Sequence, residues 1–163
     1  MIILGIDPGY ATVGWGVIKK EKGKQSLVDY GAVITPKTQA MPQRLLDIGN
    51  KLSELIKAYK PDAVAVEELF FHTNQKTAIT VAQARGVIIY VAESLNAKLF
   101  EYTPLQIKQA LTGYGRAEKQ QIQQMVRVLL GLKEAPKPDD AADALAVALT
   151  HAQTNVLISN TRI

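Results

Sequence analysis

Ile2-Ile3-Leu4-Gly5-Ile6-Asp7-Pro8-Gly9 decides how the rest of this 163-residue chain is read. The aliphatic run is nearly continuous, which suits a strand covered on both faces in the middle of a sheet. Pro8-Gly9 breaks the run at once and leaves Asp7 where the strand leaves the core. A carboxylate in that position is costly unless backbone donors, a cation or a metal pair with it. Asp is also a common turn residue, so the stretch alone leaves both readings open.

The pattern occurs twice. Ala63-Val64-Ala65-Val66 is a second short apolar strand, and it ends in Glu67-Glu68. Between the two, residues 12–18 and 27–34 read as strands joined by the polar turn Glu21-Lys22-Gly23-Lys24, giving an antiparallel meander. Trp15 is expected to pack on that sheet. Leu45, Ile48, Leu52, Leu55, Ile56 and Tyr59 recur at helical spacing and predict an amphipathic helix over 43–59. Downstream, the patterns predict a long helix over 75–95, a strand over 98–102, and helices over 104–111, over 118–130 and from Asp139 onward. The order βββ-α-β-α-β-α-α-α implies an α/β fold, a mixed five-stranded sheet with helices on both faces. No linker divides the chain, so a single domain over 1–152 with a polar, disordered tail over 153–163 is expected.

Composition narrows the class. A hydrophobic fraction of 47% with 21% charged residues supports a packed core in a chain of this length. The absence of cysteine excludes disulfides and thiolate metal sites. With no basic leader before the first apolar run and no stretch approaching about 20 apolar residues, a cytoplasmic protein without membrane contact is expected. The net charge of +4 leans towards a polyanionic partner without naming one.

The last helix carries the decisive acids. Asp139 or Asp140 can cap free amides and complement the helix dipole. That purpose does not extend to Asp143, a turn further in among Ala, Leu and Val. Asp140 and Asp143 are three apart and share a face. If the strands ending in Asp7 and Glu67 are neighbours and this helix crosses their ends, four carboxylates converge. Such a cluster, without thiols, selects a hard divalent cation, Mg²⁺ with Mn²⁺ as substitute. One or two such ions, a pair lying about 4 Å apart, would serve an in-line displacement at phosphorus.

Four blocks then carry a resemblance: Gly5-Ile6-Asp7-Pro8-Gly9, Val66-Glu67-Glu68-Leu69-Phe70, Ala82-Gln83-Ala84-Arg85-Gly86 and Asp140-Ala141-Ala142-Asp143-Ala144-Leu145-Ala146. In this order and at this spacing the chain resembles the RuvC family of bacterial Holliday-junction resolvases over about residues 1–151. The resemblance implies a ribonuclease-H-like fold and a Mg²⁺-dependent homodimer that nicks four-way DNA junctions symmetrically in strands of like polarity. A motor complex that migrates the junction is a further partner it implies. Family roles fall on Asp7, Glu67, Asp140 and Asp143 as metal-binding catalytic acids, with Asp139 a helix cap or a supporting acid. Lys108 and Lys119 stand where the family places basic residues near the scissile phosphate, and because Lys119 adjoins the Gly113-Tyr114-Gly115-Arg116 loop this reading is placed ahead of two solvated helix lysines. Arg116 and Lys76 are further DNA-binding candidates, and Arg85 is one too unless it forms a structural ion pair. Phe70 is favoured over Phe71 as a ring facing DNA, and His72 and His151 have no assigned role.

Two other classes compete. An actin-like ATPase also opens with Gly-Ile-Asp-x-Gly, but such proteins need two lobes. A junction-binding scaffold without chemistry would use the acids only as caps and buried pairs.

Overall fold

The computed structural model describes residues 1–69, 75–154 and 163. The opening run forms β1 (Ile2–Asp7), in which Ile3 to Ile6 are all buried. It pairs antiparallel with β2 (Thr12–Glu21), which turns back into β3 (Lys24–Ile34). The hairpin is tighter than the sequence reading, which put Glu21 and Lys24 in the turn and began β3 at Leu27. Lys22 and Gly23 alone make the turn, both with positive φ, at 48° and 82°. A two-residue loop of that kind matches the right-handed twist of its strands, so Glu21 and Lys24 pair across it.

α1 (Met41–Tyr59) follows and ends at Lys60, in the left-handed conformation with φ of 45°. β4 (Ala63–Glu67) then lies parallel to β1, and β5 (Leu99–Tyr102) parallel to β4. The backbone N–H of Ile2 donates to Asp62 Oδ2 at 2.6 Å, and the backbone N–H of Asp62 donates to the Ile2 carbonyl at 2.8 Å. Those bonds tie the start of β1 to the entry of β4. The sheet order is β3-β2-β1-β4-β5. β1 is therefore central, as its uninterrupted apolar sequence requires.

Helices cover both faces. α1 and α2 (Gln75–Ser94) pack over Leu4, Ile6, Val64 and Val66. Trp15 joins this side of the core and packs against Tyr59. On the other face, α3 (Pro104–Thr112), α4 (Lys119–Leu129) and α5 (Asp139–Gln153) cover Ile3, Ala63, Ala65 and Phe100. No helix of the described residues is long and apolar enough to cross a membrane. Of the expected tail, residues 155–162 lie outside the described residues.

α5 lies almost on the backbone of the sheet. Gly5 and Gly16 face each other in the β1–β2 register, and Gly14 faces Asp7. A Cβ at Gly5 would sit 2.1 Å from the Ala144 carbonyl oxygen, and one at Gly14 would sit 1.9 Å from that of Asp140. These glycines are required by close approach. Gly14→Ala is expected to push the first turn of α5 off the sheet and cost about 1–3 kcal/mol. A methyl group added at Gly86 on α2 would meet nothing of its own chain within 4 Å, so Gly86→Ala should leave the stability of the separate monomer unchanged or raise it by up to about 1 kcal/mol. Urea unfolding of the two variants beside the parent chain checks both signs.

Candidate active site

Asp7 and Glu67 finish neighbouring parallel strands, one step beyond the Ile6–Val66 pair. They therefore emerge side by side at the carboxyl end of the sheet, where open α/β folds place their ligands. α5 brings the other two acids over those ends. From Ala141 to Ala152 every residue of α5 is buried except Asp143, which is half-buried. Ala141, Ala142, Ala144 and Leu145 bury the surrounding positions of the helix, so Asp143 is held at the one gap in that cover.

Burial and mutual repulsion shape the charges. The Asp7 carboxyl is pushed up to about 8, first by burial and then by the charges of Glu67, Asp143 and Asp140, against the pull of Lys119. Burial and the charge of Asp143 push Glu67 up to about 7, opposed by Lys108 and Lys119. Asp143 is raised by burial as well, with Lys119 holding it down. Lys119 Nζ donates to Asp143 Oδ2 at 2.9 Å and lies 3.7 Å from Asp139 Oδ2. That bond to Asp143 is the main reason its own ammonium is held above the usual lysine range.

Glu67, Lys108, Lys119 and Asp143 line a cleft of about 190 Å³ together with Ile107, Ile122 and Ala146. Both lysines stand on fixed helices. A capping box formed by Thr103 and Gln106 starts α3 and so places Lys108. Lys119 is the first residue of α4, where the Glu118 backbone N–H donates to Gln121 Oε1 at 2.8 Å.

The donor chemistry, four carboxylates of which Asp7, Glu67 and Asp143 are raised by burial and by their neighbours' charge, fits a hard divalent cation. As the side chains stand, no group of three or more acids and histidines among the described residues is disposed to hold one.

Residues 3–151 match the family described as crossover junction endodeoxyribonuclease RuvC. A protein of that name from Alkaliphilus metalliredigens is 58% identical over 154 residues, 94% of each chain. The chain belongs to the RuvC family. Solved RuvC structures agree in fold. The Thermus thermophilus RuvC structure is 38% identical and superposes with a TM-score of 0.91 over 100% of both chains. The T. thermophilus RuvC in complex with Holliday junction substrate gives 0.93, over 100% of this chain and 99% of that one.

The structure brings Asp7, Glu67, Asp140 and Asp143 to the same end of the sheet, with Lys119 bonded to Asp143 and Lys108 lining the cleft beside Glu67. Asp139 and Asp140 occupy the first turn of α5 but do not cap it, since the N-cap is Pro138 with no side-chain hydrogen bond. Asp139 instead faces Lys119. Arg116 is exposed in the loop between α3 and α4, next to the helix that carries Lys119. Arg85 forms an ion pair with Glu101 that links α2 to β5, which realises the structural alternative. Phe70, Phe71 and His72 lie outside the described residues, as does the side chain of Lys76 in the first turn of α2.

Two arrangements escaped the sequence reading. Buried Arg44 donates from Nε to Thr35 Oγ1 at 2.8 Å and stacks 3.7 Å over the Tyr10 ring. Thr35 Oγ1 in turn donates to the Tyr10 carbonyl at 2.7 Å, so the turn that follows Asp7 is braced. The only signal in the sequence was a cation four residues before Ile48, on the buried stripe of α1. Secondly, His151 is buried against Phe100, with Nδ1 2.8 Å from the Tyr102 hydroxyl. Burial and the charge of Lys20 hold it down at about 4, a neutral structural histidine.

The raised carboxyls give stability a definite pH dependence. At pH below about 3 Asp7 and Glu67 are protonated in folded and unfolded chains alike, and their contribution is fully present. As pH rises, the unfolded chain releases protons that the folded chain keeps, so stability falls until Asp7 has passed its value of about 8. In EDTA, unfolding free energy should drop by roughly 2–5 kcal/mol between pH 5 and pH 8.5. Asp7→Asn should remove most of that drop, as urea titrations across the range would show.

Proposed function

We propose that this chain resolves four-way DNA junctions in the cytoplasm as a homodimer, making paired symmetric nicks by Mg²⁺-dependent hydrolysis. The convergence of Asp7, Glu67, Asp140 and Asp143 at the strand ends, beside a cleft lined by Glu67, Asp143, Lys108 and Lys119, carries this reading. It is supported by the fold shared with the T. thermophilus RuvC–junction complex. Asp7, Glu67, Asp140 and Asp143 would hold the cation, with Mn²⁺ able to substitute. When bound, it would supply the Lewis acidity that water attack on a phosphodiester needs near neutral pH.

The residues of the chain do the rest. Asp7 and Glu67, raised to about 8 and about 7 without a cation, would hold it as carboxylates, so that they would give up their protons on its binding. Lys108 and Lys119 both line the cleft and present point charges suited to a phosphate oxygen. Arg116 continues that positive edge along the α3–α4 loop, and Lys76 and Phe70 are proposed to extend the DNA surface. The ring would stack on an unpaired base, worth about 1–3 kcal/mol.

For the dimer, α2 offers a fitting surface. Ile79 and Tyr90 are 61% and 72% exposed, with Ala82 and Gly86 between them on the same face. Small residues flanked by exposed apolar ones let two helices approach closely. A branch-migration motor is the further partner proposed.

A labelled four-way junction and a linear duplex of the same sequence, each with Mg²⁺ or EDTA, test the function. Symmetric nicks confined to the junction in Mg²⁺ are expected, with Asp7→Asn at least about a hundredfold slower but still binding. Equal cutting of both substrates would remove junction selectivity, and binding without cutting would favour the scaffold.

A further inference from the structure

Lys119 does more than line the cleft. Its ammonium is within hydrogen-bond distance of an oxygen that a metal would need, at 2.9 Å from Asp143 Oδ2. We propose that Lys119 is an internal cation that holds Asp143 in the free protein and competes with the divalent ion for it, leaving when the ion enters. The proposal rests on the reading of the four acids as metal ligands.

Three observations carry it. First, as the side chains stand no three acids among the described residues are disposed around a common ion, and the Asp143 oxygen that a metal would engage, Oδ2, is already bonded to Lys119 at 2.9 Å. Second, the lysine is able to leave. It is 55% exposed on a long flexible stem, whereas Asp143 is 25% exposed and fixed on the buried helix α5. Third, Asp139 waits on the solvent side, 61% exposed and 3.7 Å from the same ammonium. As Lys119 leaves Asp143 it keeps an acidic partner, so displacement strands no charge.

The arrangement gives one side chain two successive tasks. Without metal, Lys119 offsets the repulsion of Asp143 against Asp140, Glu67 and Asp7. With metal, the ammonium is released at the rim of the cleft, where a phosphate oxygen would lie. Binding of the ion and of the phosphate are then coupled through this residue, and such coupling is reciprocal.

Mn²⁺ binding to DNA-free protein, read from the loss of the free-ion electron paramagnetic resonance signal, tests this in the full chain. Lys119→Met should bind Mn²⁺ about fivefold more tightly than the parent, and Lys119→Arg, which keeps the charge, should gain nothing comparable. Lys119→Met should also melt lower than the parent in EDTA and regain the difference in saturating Mn²⁺, which loss of packing alone would not produce. Unchanged or weaker Mn²⁺ binding in Lys119→Met, with binding abolished by Asp7→Asn, would overturn the competition and leave the metal site standing. Absence of Mn²⁺ binding in the parent and both lysine variants would overturn the metal reading and the competition with it.

Discussion

The seating of α5 on a floor without side chains is the contact on which the site depends. A helix on a sheet ordinarily rides on a layer of side chains from both surfaces. Here Gly5, Gly14 and Gly16 remove that layer along β1 and β2, and alanines remove most of it from α5. The first turn of the helix comes down on Gly14, the residue opposite Asp7 in the register. Packed interiors transmit displacements rather than absorb them. The spacing between the Asp7 strand end and the acids of α5 is therefore set by backbone contact, and a single methyl group is enough to change it.

That rigidity has an electrostatic cost, visible in the raised carboxyls of Asp7, Glu67 and Asp143. Burial comes first among the causes for each, because desolvation penalises the charged form before any neighbour is counted. The surrounding structure offsets the cost by fixing what lies next to the acids. Arg44 and Thr35 hold the turn after Asp7. The Glu68 backbone N–H donates to the Tyr102 carbonyl at 2.8 Å, which fixes the chain as it leaves Glu67. Tyr102 is itself anchored to α5 through His151. The two strand-end acids are thus tied to elements on opposite faces of the sheet.

Much of this was legible in the amino-acid sequence because period and punctuation are local properties. The uninterrupted apolar run of β1 required a central strand, and the acids ending β1 and β4 required a reason. Asp143 stood out because a dipole or cap explanation cannot reach a position that far into an alanine-rich helix. What stayed hidden was relational. Gly14 and Gly16 read as ordinary strand residues until α5 lies across them, and nothing local reveals that Lys119 and Asp139 meet. Arg44 was masked by a regular helical stripe whose apolar members account for themselves. Asp139 was read as a helix cap or a supporting acid; the cap position falls to Pro138, which has no side-chain donor or acceptor, and Asp139 faces Lys119 instead.

The placement of the two lysines follows from the same constraint. A site whose acids are fixed by backbone packing cannot relax by moving its strands, so its charge must be balanced by groups that can move. Lys108 and Lys119 are the long, flexible members of the cleft, each on a helix whose start is fixed by local hydrogen bonds. The anchored backbone limits where each ammonium can reach, while the stem leaves it free to change partner within that reach. Arginine would hold a carboxylate in a two-pronged fork and surrender it reluctantly, whereas lysine bonds as a point charge. A rigid set of acids faced by adjustable point charges suits a cleft that must stay paired when empty and open when a polyanion arrives.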